Sequence, residues 1–192
     1  KKFYKEHNDE YLLIKKRGTP LIFEKNRASS IKMAEKNFDI AILDDGFQDY
    51  QIEKDLNLLC FHSKQLIGNG FIFPSGPLRE NLNAIKMTQI VLINGEKNSE
   101  FEAKLKKINS KISIFYSYYK LINSENFKDK NILAFAGIGN PENFFDLLIE
   151  SGLNVKETIS FPDHYDFKKK EVLEIIEKAK KQNYTILTTE KD

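Results

Sequence analysis

Ile40-Ala41-Ile42-Leu43-Asp44-Asp45-Gly46-Phe47-Gln48 decides the reading of this chain, because an apolar run ends there in two adjacent carboxylates. The nearly unbroken run from Phe38 to Leu43 predicts a strand buried on both faces. A carboxylate at the C-terminal end of such a strand lies at the ligand edge of an open α/β sheet. A turn capped beside Gly46 accounts for one acid there; two ask for a metal ion. Further along, Phe73-Pro74-Ser75-Gly76-Pro77-Leu78-Arg79-Glu80 is a turn stiffened by two prolines and a glycine, and it ends in a cation followed by a third carboxylate. Arg79-Glu80 alone reads equally well as a surface ion pair, but the turn that holds the pair favours function. Together the two stretches suggest a site for magnesium and phosphate.

Around them the chain alternates helical and strand patterns. Asp9-Glu10 opens a short helix that stops at Gly18, with acids in its first turn and bases in its last. Leu21-Ile22-Phe23 reads as a brief strand, 28–36 as a helix, 56–61 as a strand, 83–87 as a helical turn and 89–93 as another strand. A Lys/Glu-rich helix follows over 99–109, then an aromatic strand over 112–121 placed to bridge two domains. Strand 132–135, a helix opened by Pro141 and closed at Gly152, strand 155–161, helix 168–181 and strand 184–187 complete the pattern. Such alternation predicts an α/β fold with a mostly parallel sheet covered by helices.

Composition narrows the function. The chain has 192 residues, 41% of them hydrophobic, which is ample for a core or for two. Its formal charge of +2 gives no basic field for nucleic acid. The single cysteine, Cys60, fits a reducing compartment rather than a disulfide scaffold. No apolar run approaches a membrane span. Of 30 basic residues only Arg17, Arg27 and Arg79 are arginine. Arginine kept in a lysine background points to its planar fork, which grips phosphate or carboxylate bidentately; Arg17, at the end of a helix, reads as a solvated charge. The lysines of 168–181 read most simply as a solvated face.

Two further loops carry weaker signals. Gly137-Ile138-Gly139-Asn140-Pro141 follows a strand and opens a helix, so its amides suit an anion, although Pro141 removes one donor and the third glycine of a dinucleotide fingerprint is missing. Phe161-Pro162-Asp163-His164-Tyr165-Asp166 sets a histidine among acids, a setting for a proton relay as well as for a structural histidine. None of the nine glycines forms G-x-x-x-x-G-K-[ST], the loop that cradles ATP phosphates. With no initiator methionine at Lys1, the chain is expected to be part of a longer protein; if that protein is a P-loop enzyme, its P-loop lies upstream of Lys1.

The order of these motifs resembles one family. Asp9-Glu10-Tyr11-Leu12-Leu13 is similar to G-D-E-x-x-L-L, Asp44 to Gln48 to D-D-G-[FL]-Q, and Gly68-Asn69-Gly70 through Glu80 to G-N-G…P-x-G-P-L-R-E. Ala134 to Phe145 is similar to A-F-A-G-I-G-x-P-x-x-F-F, Phe161 to His164 to F-P-D-H, and Thr189-Glu190-Lys191-Asp192 to T-E-K-D. In all of these, over essentially its whole length, the chain resembles the tetraacyldisaccharide 4'-kinases, or lipid A 4'-kinases. It departs at Asn8, where glycine is usual, and at Asp49, where many members have histidine.

The resemblance implies a P-loop-kinase-like α/β core with helices on both faces of its sheet, and a smaller α/β domain joined by a β linker. The expected boundaries are 1–95 for the core, 96–183 for the second domain and 184–192 for a strand returning to the core. It implies transfer of the γ-phosphate of ATP, with Mg2+, to the 4'-hydroxyl of a tetraacylated glucosamine disaccharide 1-phosphate, the lipid A disaccharide precursor. Asp9 is then the base and His164 its partner; Asp44, Asp45 and Glu80 hold magnesium; Arg79 and Arg27 meet phosphate, and Gln48 lines the site. The enzyme is expected at the cytoplasmic face of a bacterial inner membrane, held through an upstream segment, as a monomer without nucleic acid, and the present piece alone is expected to be inactive. Two other readings are an Asp44-dependent phosphate hydrolase and a non-catalytic binding module on a kinase-derived fold.

Overall fold

The computed structural model describes residues 8–22, 24 and 26–192. The fold is α/β, with parallel strands alternating with helices, consistent with a P-loop-kinase-like class. Packing divides the chain into two units, Ile22–Tyr119 and Lys1–Leu21 together with Lys120–Asp192.

In the Ile22–Tyr119 unit, helix α2 (Arg27–Ala34) starts at Asn26, whose side chain accepts from the Ser29 N–H at 3.2 Å, an N-cap bond. Strands β1 (Leu58–His62), β2 (Ile90–Asn94) and β3 (Ser113–Ser117) form a parallel sheet in that order. The register aligns Leu59, Val91 and Ile114, then Phe61, Ile93 and Tyr116, across one face. Helix α3 (Ser99–Ile108) covers this face with Phe101 and Leu105, and Ile85 and Ile112 close the core. The opposite face stays open: Cys60 is exposed, as are Leu58 (46%) and Phe115 (54%). Between β1 and β2 a 3₁₀ helix, Leu82–Met87, is finished by Asn109, whose amide donates to the carbonyls of Ile85 (3.1 Å) and Thr88 (2.8 Å).

One sequence expectation fails here. Residues 38–43 form no strand, and Ile40 and Ile42 are 80% and 92% exposed. An apolar run supplies side chains for a buried strand, but a strand also needs a neighbour for its N–H and C=O groups. Among the described residues none pairs with this run. The aromatic strand expected over 112–121 is shorter than its pattern, stopping at Ser117 where its pairing with β2 ends. Of the expected strand 21–23, Leu21 and Ile22 lie in no strand, and Phe23 falls outside the described residues.

In the other unit, β4 (Asn131–Ala136) is the centre of a parallel sheet ordered β5-β4-β6, with β5 at Asn154–Ser160 and β6 at Thr185–Leu187. From Ile132 to Ala136 every residue of β4 is buried, the pattern of a strand covered on both sides. Helix α4 (Pro141–Glu150) packs Phe145 and Leu148 against Ile132, Ala134 and Ala136. Helix α5 (Lys169–Gln182) packs Ile175 and Ala179 against Leu133 and Phe135 on the other side. Pro141 stands in the first turn of α4, and Asn183, with φ +55°, ends α5 in the left-handed conformation. Helix α1 (Asn8–Lys16) belongs to this unit, and the ion pairs of Lys16 and Arg17 with Glu190 tie its end to the last residues of the chain. The division differs from the expected boundaries. Pairing with β2 keeps β3 in the first unit, β6 pairs with β4, and α1 joins residues 120–192.

Candidate active site

Within Ile22–Tyr119, the acidic loop 44–50 and the turn 71–80 come together. Arg79 Nη1 donates to Asp45 Oδ1 at 2.5 Å and Oδ2 at 2.7 Å, across 34 positions of sequence. Tyr50 donates its hydroxyl to Glu80 Oε2 at 2.6 Å. Both contacts hold protons on their donors: the bond to Asp45 raises the Arg79 guanidinium above its ordinary pKa, and the bond to Glu80 raises the Tyr50 phenol.

The turn owes its shape to Asn69 and Gly76. The Asn69 side chain donates to Ser75 O at 2.7 Å and accepts from the Phe71 N–H at 3.1 Å. A Cβ on Gly76 would stand 2.2 Å from Asn69 Oδ1 and 2.3 Å from Phe71 O, so no side chain fits. Phe73 N–H to Leu78 O (2.8 Å) and Leu78 N–H to Phe71 O (3.2 Å) close the loop and aim Arg79 and Glu80 at the acidic segment. Arg27 holds that segment from the other side, donating to the carbonyls of Asp44 (3.1 Å) and Asp45 (3.0 Å), with Asp49 Oδ2 at 3.7 Å. Asp49, left without a role by the sequence, thus balances Arg27. Gln48 is exposed on the same loop.

The expected cluster of Asp44, Asp45 and Glu80 is not formed here. Among the described residues no three His, Cys, Asp or Glu side chains are grouped closely enough to hold a metal, and Arg79 lies on the Asp45 carboxylate. Two of the three still suit a hydrated magnesium ion, which commonly uses one or two carboxylates and keeps several waters. The Asp44 carboxylate meets no described partner, and Glu80 Oε1 is buried without a hydrogen bond.

The remaining predicted residues lie in the other unit. Asp9 stands in α1, and its side chain lies outside the described residues. His164 has φ +55° and donates its N–H to Gly137 O at 3.0 Å; its Nε2 lies 3.9 Å from Asp163 Oδ2. The Gly137 N–H donates to Asp192 Oδ1 at 3.1 Å, and the hydroxyls of Thr188 (3.1 Å) and Thr189 (2.7 Å) donate to Asp192 Oδ2. Three sequence motifs therefore meet at Gly137. Glu171 accepts from the Tyr165 hydroxyl (2.8 Å) and from the Lys168 N–H (3.0 Å), anchoring the start of α5 beside the His164 loop.

A family model described as tetraacyldisaccharide-1-P 4'-kinase matches residues 4–192. The chain belongs to this family. Tetraacyldisaccharide 4'-kinases similar to it include that of Pelagibacter ubique, 42% identical over all of this chain and 62% of the relative. Those of Haemophilus influenzae and Rickettsia akari are 32% and 34% identical over 97% of this chain, covering 55% and 57% of the relatives. The chain thus spans little more than half the length of most of the curated relatives it matches. No solved structure gives a significant match. Tyr50, Asn69 and Asp49 hold this candidate site together through contacts in which sequence reasoning assigned them no role. Their signal was faint, since each acts through one contact far away in sequence or through a backbone carbonyl.

Proposed function

We propose that the protein to which this chain belongs transfers the γ-phosphate of ATP to the 4'-hydroxyl of a tetraacylated glucosamine disaccharide 1-phosphate, in lipid A biosynthesis. The observation that carries the reading is the Arg79–Asp45 contact, which joins two of the motifs that carry the family resemblance. Phosphoryl transfer calls for an aligned nucleophile and neutralised oxygens more than for covalent help. Arg79, 65% exposed, is the better placed of the two arginines to meet phosphate; Arg27, 40% exposed, chiefly shapes the acidic loop. Asp44, and Glu80 through its free buried oxygen, would hold magnesium. When bound, the ion neutralises charge on the phosphate oxygens. Asp45 keeps the Arg79 guanidinium in place until phosphate takes its nitrogens, and Gln48 lines the same loop. Asp9 serves as base towards the sugar hydroxyl with His164 as its partner, since a carboxylate near its reference pKa of about 4 is a weak base alone.

An acylated acceptor places the reaction at a membrane surface, here the cytoplasmic face of the bacterial inner membrane. Among the described residues no helix is long and apolar enough to cross it. The test is transfer of labelled γ-phosphate to the disaccharide 1-phosphate by the full-length protein. Asp44→Asn is expected to lower kcat by about a hundredfold or more. The present chain alone, without a G-K-[ST] loop, is expected to show no transfer. Phosphate release that needs no acceptor, or full activity in the variant, would overturn the reading.

A further inference from the structure

We propose that Asp192 is a positioning residue that sets the location of His164 through the Gly137 peptide; this rests on the reading of His164 as a partner in the transfer. The connection runs through four hydrogen bonds. Thr188 and Thr189 donate their hydroxyls to Asp192 Oδ2 and so fix the carboxylate. Its other oxygen accepts the Gly137 N–H at 3.1 Å, and the carbonyl of the same glycine accepts the His164 N–H at 3.0 Å. One residue thus transmits the position of the carboxylate to the backbone of the histidine.

The backbone at His164 needs such a hold. Its φ of +55° lies in the left-handed region, which only a few per cent of residues other than glycine adopt, with Asn, Asp and His over-represented among them, and such a conformation persists where its surroundings impose it. The surroundings are tight on both sides of the Gly137 peptide. A Cβ on Gly137 would stand 3.1 Å from Asp192 Oδ1, 3.1 Å from Tyr165 Cβ and 3.3 Å from the Phe167 ring, so the peptide is clasped between Asp192 and the segment following His164. That segment is itself fixed, with the Tyr165 ring 4.9 Å from Phe161 and 5.3 Å from Phe167. The piece of the clasp with least packing of its own is Asp192, exposed and held by hydroxyls and one amide. Its carboxylate is therefore the part whose removal frees His164 without emptying the core.

The experiment uses the full-length enzyme with Asp192→Ala, Asp192→Asn, His164→Ala and the Asp192→Ala/His164→Ala pair. Asp192→Ala is expected to lower kcat about tenfold with KM for both substrates little changed, and to speed hydrogen exchange at the Gly137 and His164 amides by a similar factor. Asp192→Asn, which keeps one oxygen for the Gly137 N–H, should recover most of the rate. In the His164→Ala background, Asp192→Ala should cost less than about twofold more, because residues acting as a unit are not additive. Multiplicative losses, or amide exchange unchanged in Asp192→Ala, would overturn the proposal. If His164→Ala is fully active, the catalytic reading of His164 fails; the positioning role then stands or falls on the exchange result alone. Should Asp192→Ala fail to fold, Gly137→Ala decides, since its Cβ would meet Asp192 Oδ1 at 3.1 Å: kcat and His164 amide exchange at wild-type values in that variant would refute the clasp.

Discussion

Arg79 meets Asp45 through one guanidinium nitrogen, so the planar fork is not used up by the contact. An exposed pair of this kind contributes little to stability, typically about 0–1 kcal/mol, and its use lies in aiming the fork. Arg79→Lys in the full-length enzyme should accordingly lower kcat/KM about tenfold or more while thermal stability stays within about 0.5 kcal/mol, because lysine keeps the charge and loses the bidentate geometry. Unchanged kinetics would mean that charge alone suffices. Glu171 allows a prediction in pH. The Lys168 N–H, and after it the Tyr165 hydroxyl, hold its pKa below the ordinary value, so its contribution is present above the unfolded carboxylate pKa of about 4.3 and is lost as pH falls through the lower folded value. Urea midpoints of wild type and Glu171→Gln should differ at neutral pH and converge as the pH drops below about 4. A constant difference would refute the assignment. At this scale the sequence disclosed the charged residues, through their motifs. It gave no role to Tyr50 or Asn69, because the Tyr50 hydroxyl acts on Glu80 across 30 positions and the Asn69 amide acts only on backbone groups, neither of which leaves a side-chain pattern.

The helices and strands were largely legible, because their signals are local. Asn98 accepts from the Phe101 N–H at 2.9 Å and starts α3, Pro141 starts α4, and the apolar run of β4 gives a strand buried on both sides. Residues 38–43 carry an equally good run and form no strand, since periodicity reports which face a strand would bury and not whether a neighbour pairs with it. The same distinction separates two predictions. Leu133 is buried in β4 beneath α5, and Leu133→Ala should cost about 2–5 kcal/mol in chemical denaturation. Ile40→Ala, at an exposed position, should stay within about 0.5 kcal/mol in this chain. Thr88 offers the opposite case. It is buried at 1%, and its hydroxyl has no partner, so Thr88→Val should leave stability unchanged or raise it by about 1 kcal/mol. A loss of more than about 1 kcal/mol would show that the hydroxyl is satisfied in solution.

For the molecule as a whole, the α/β class and its parallel strands followed from alternation, but the division into units did not. No low-complexity linker marks residue 95 or residue 120, and only the pairing of β3 with β2 and of β6 with β4 reveals which segments belong together. A boundary made by pairing rather than by a linker has no compositional mark. The two sheets also differ in cover, β4 being enclosed on both sides while β1-β2-β3 is packed on one. That open face carries the chain's single thiol, and so provides a reporter that needs no engineering. A maleimide dye should couple to native Cys60 within about tenfold of its rate in urea, as expected of an accessible thiol. Once coupled, its emission would shift when any apolar surface settles over Leu58 and Phe115, which turns an unfinished side of the sheet into a gauge of whatever completes it.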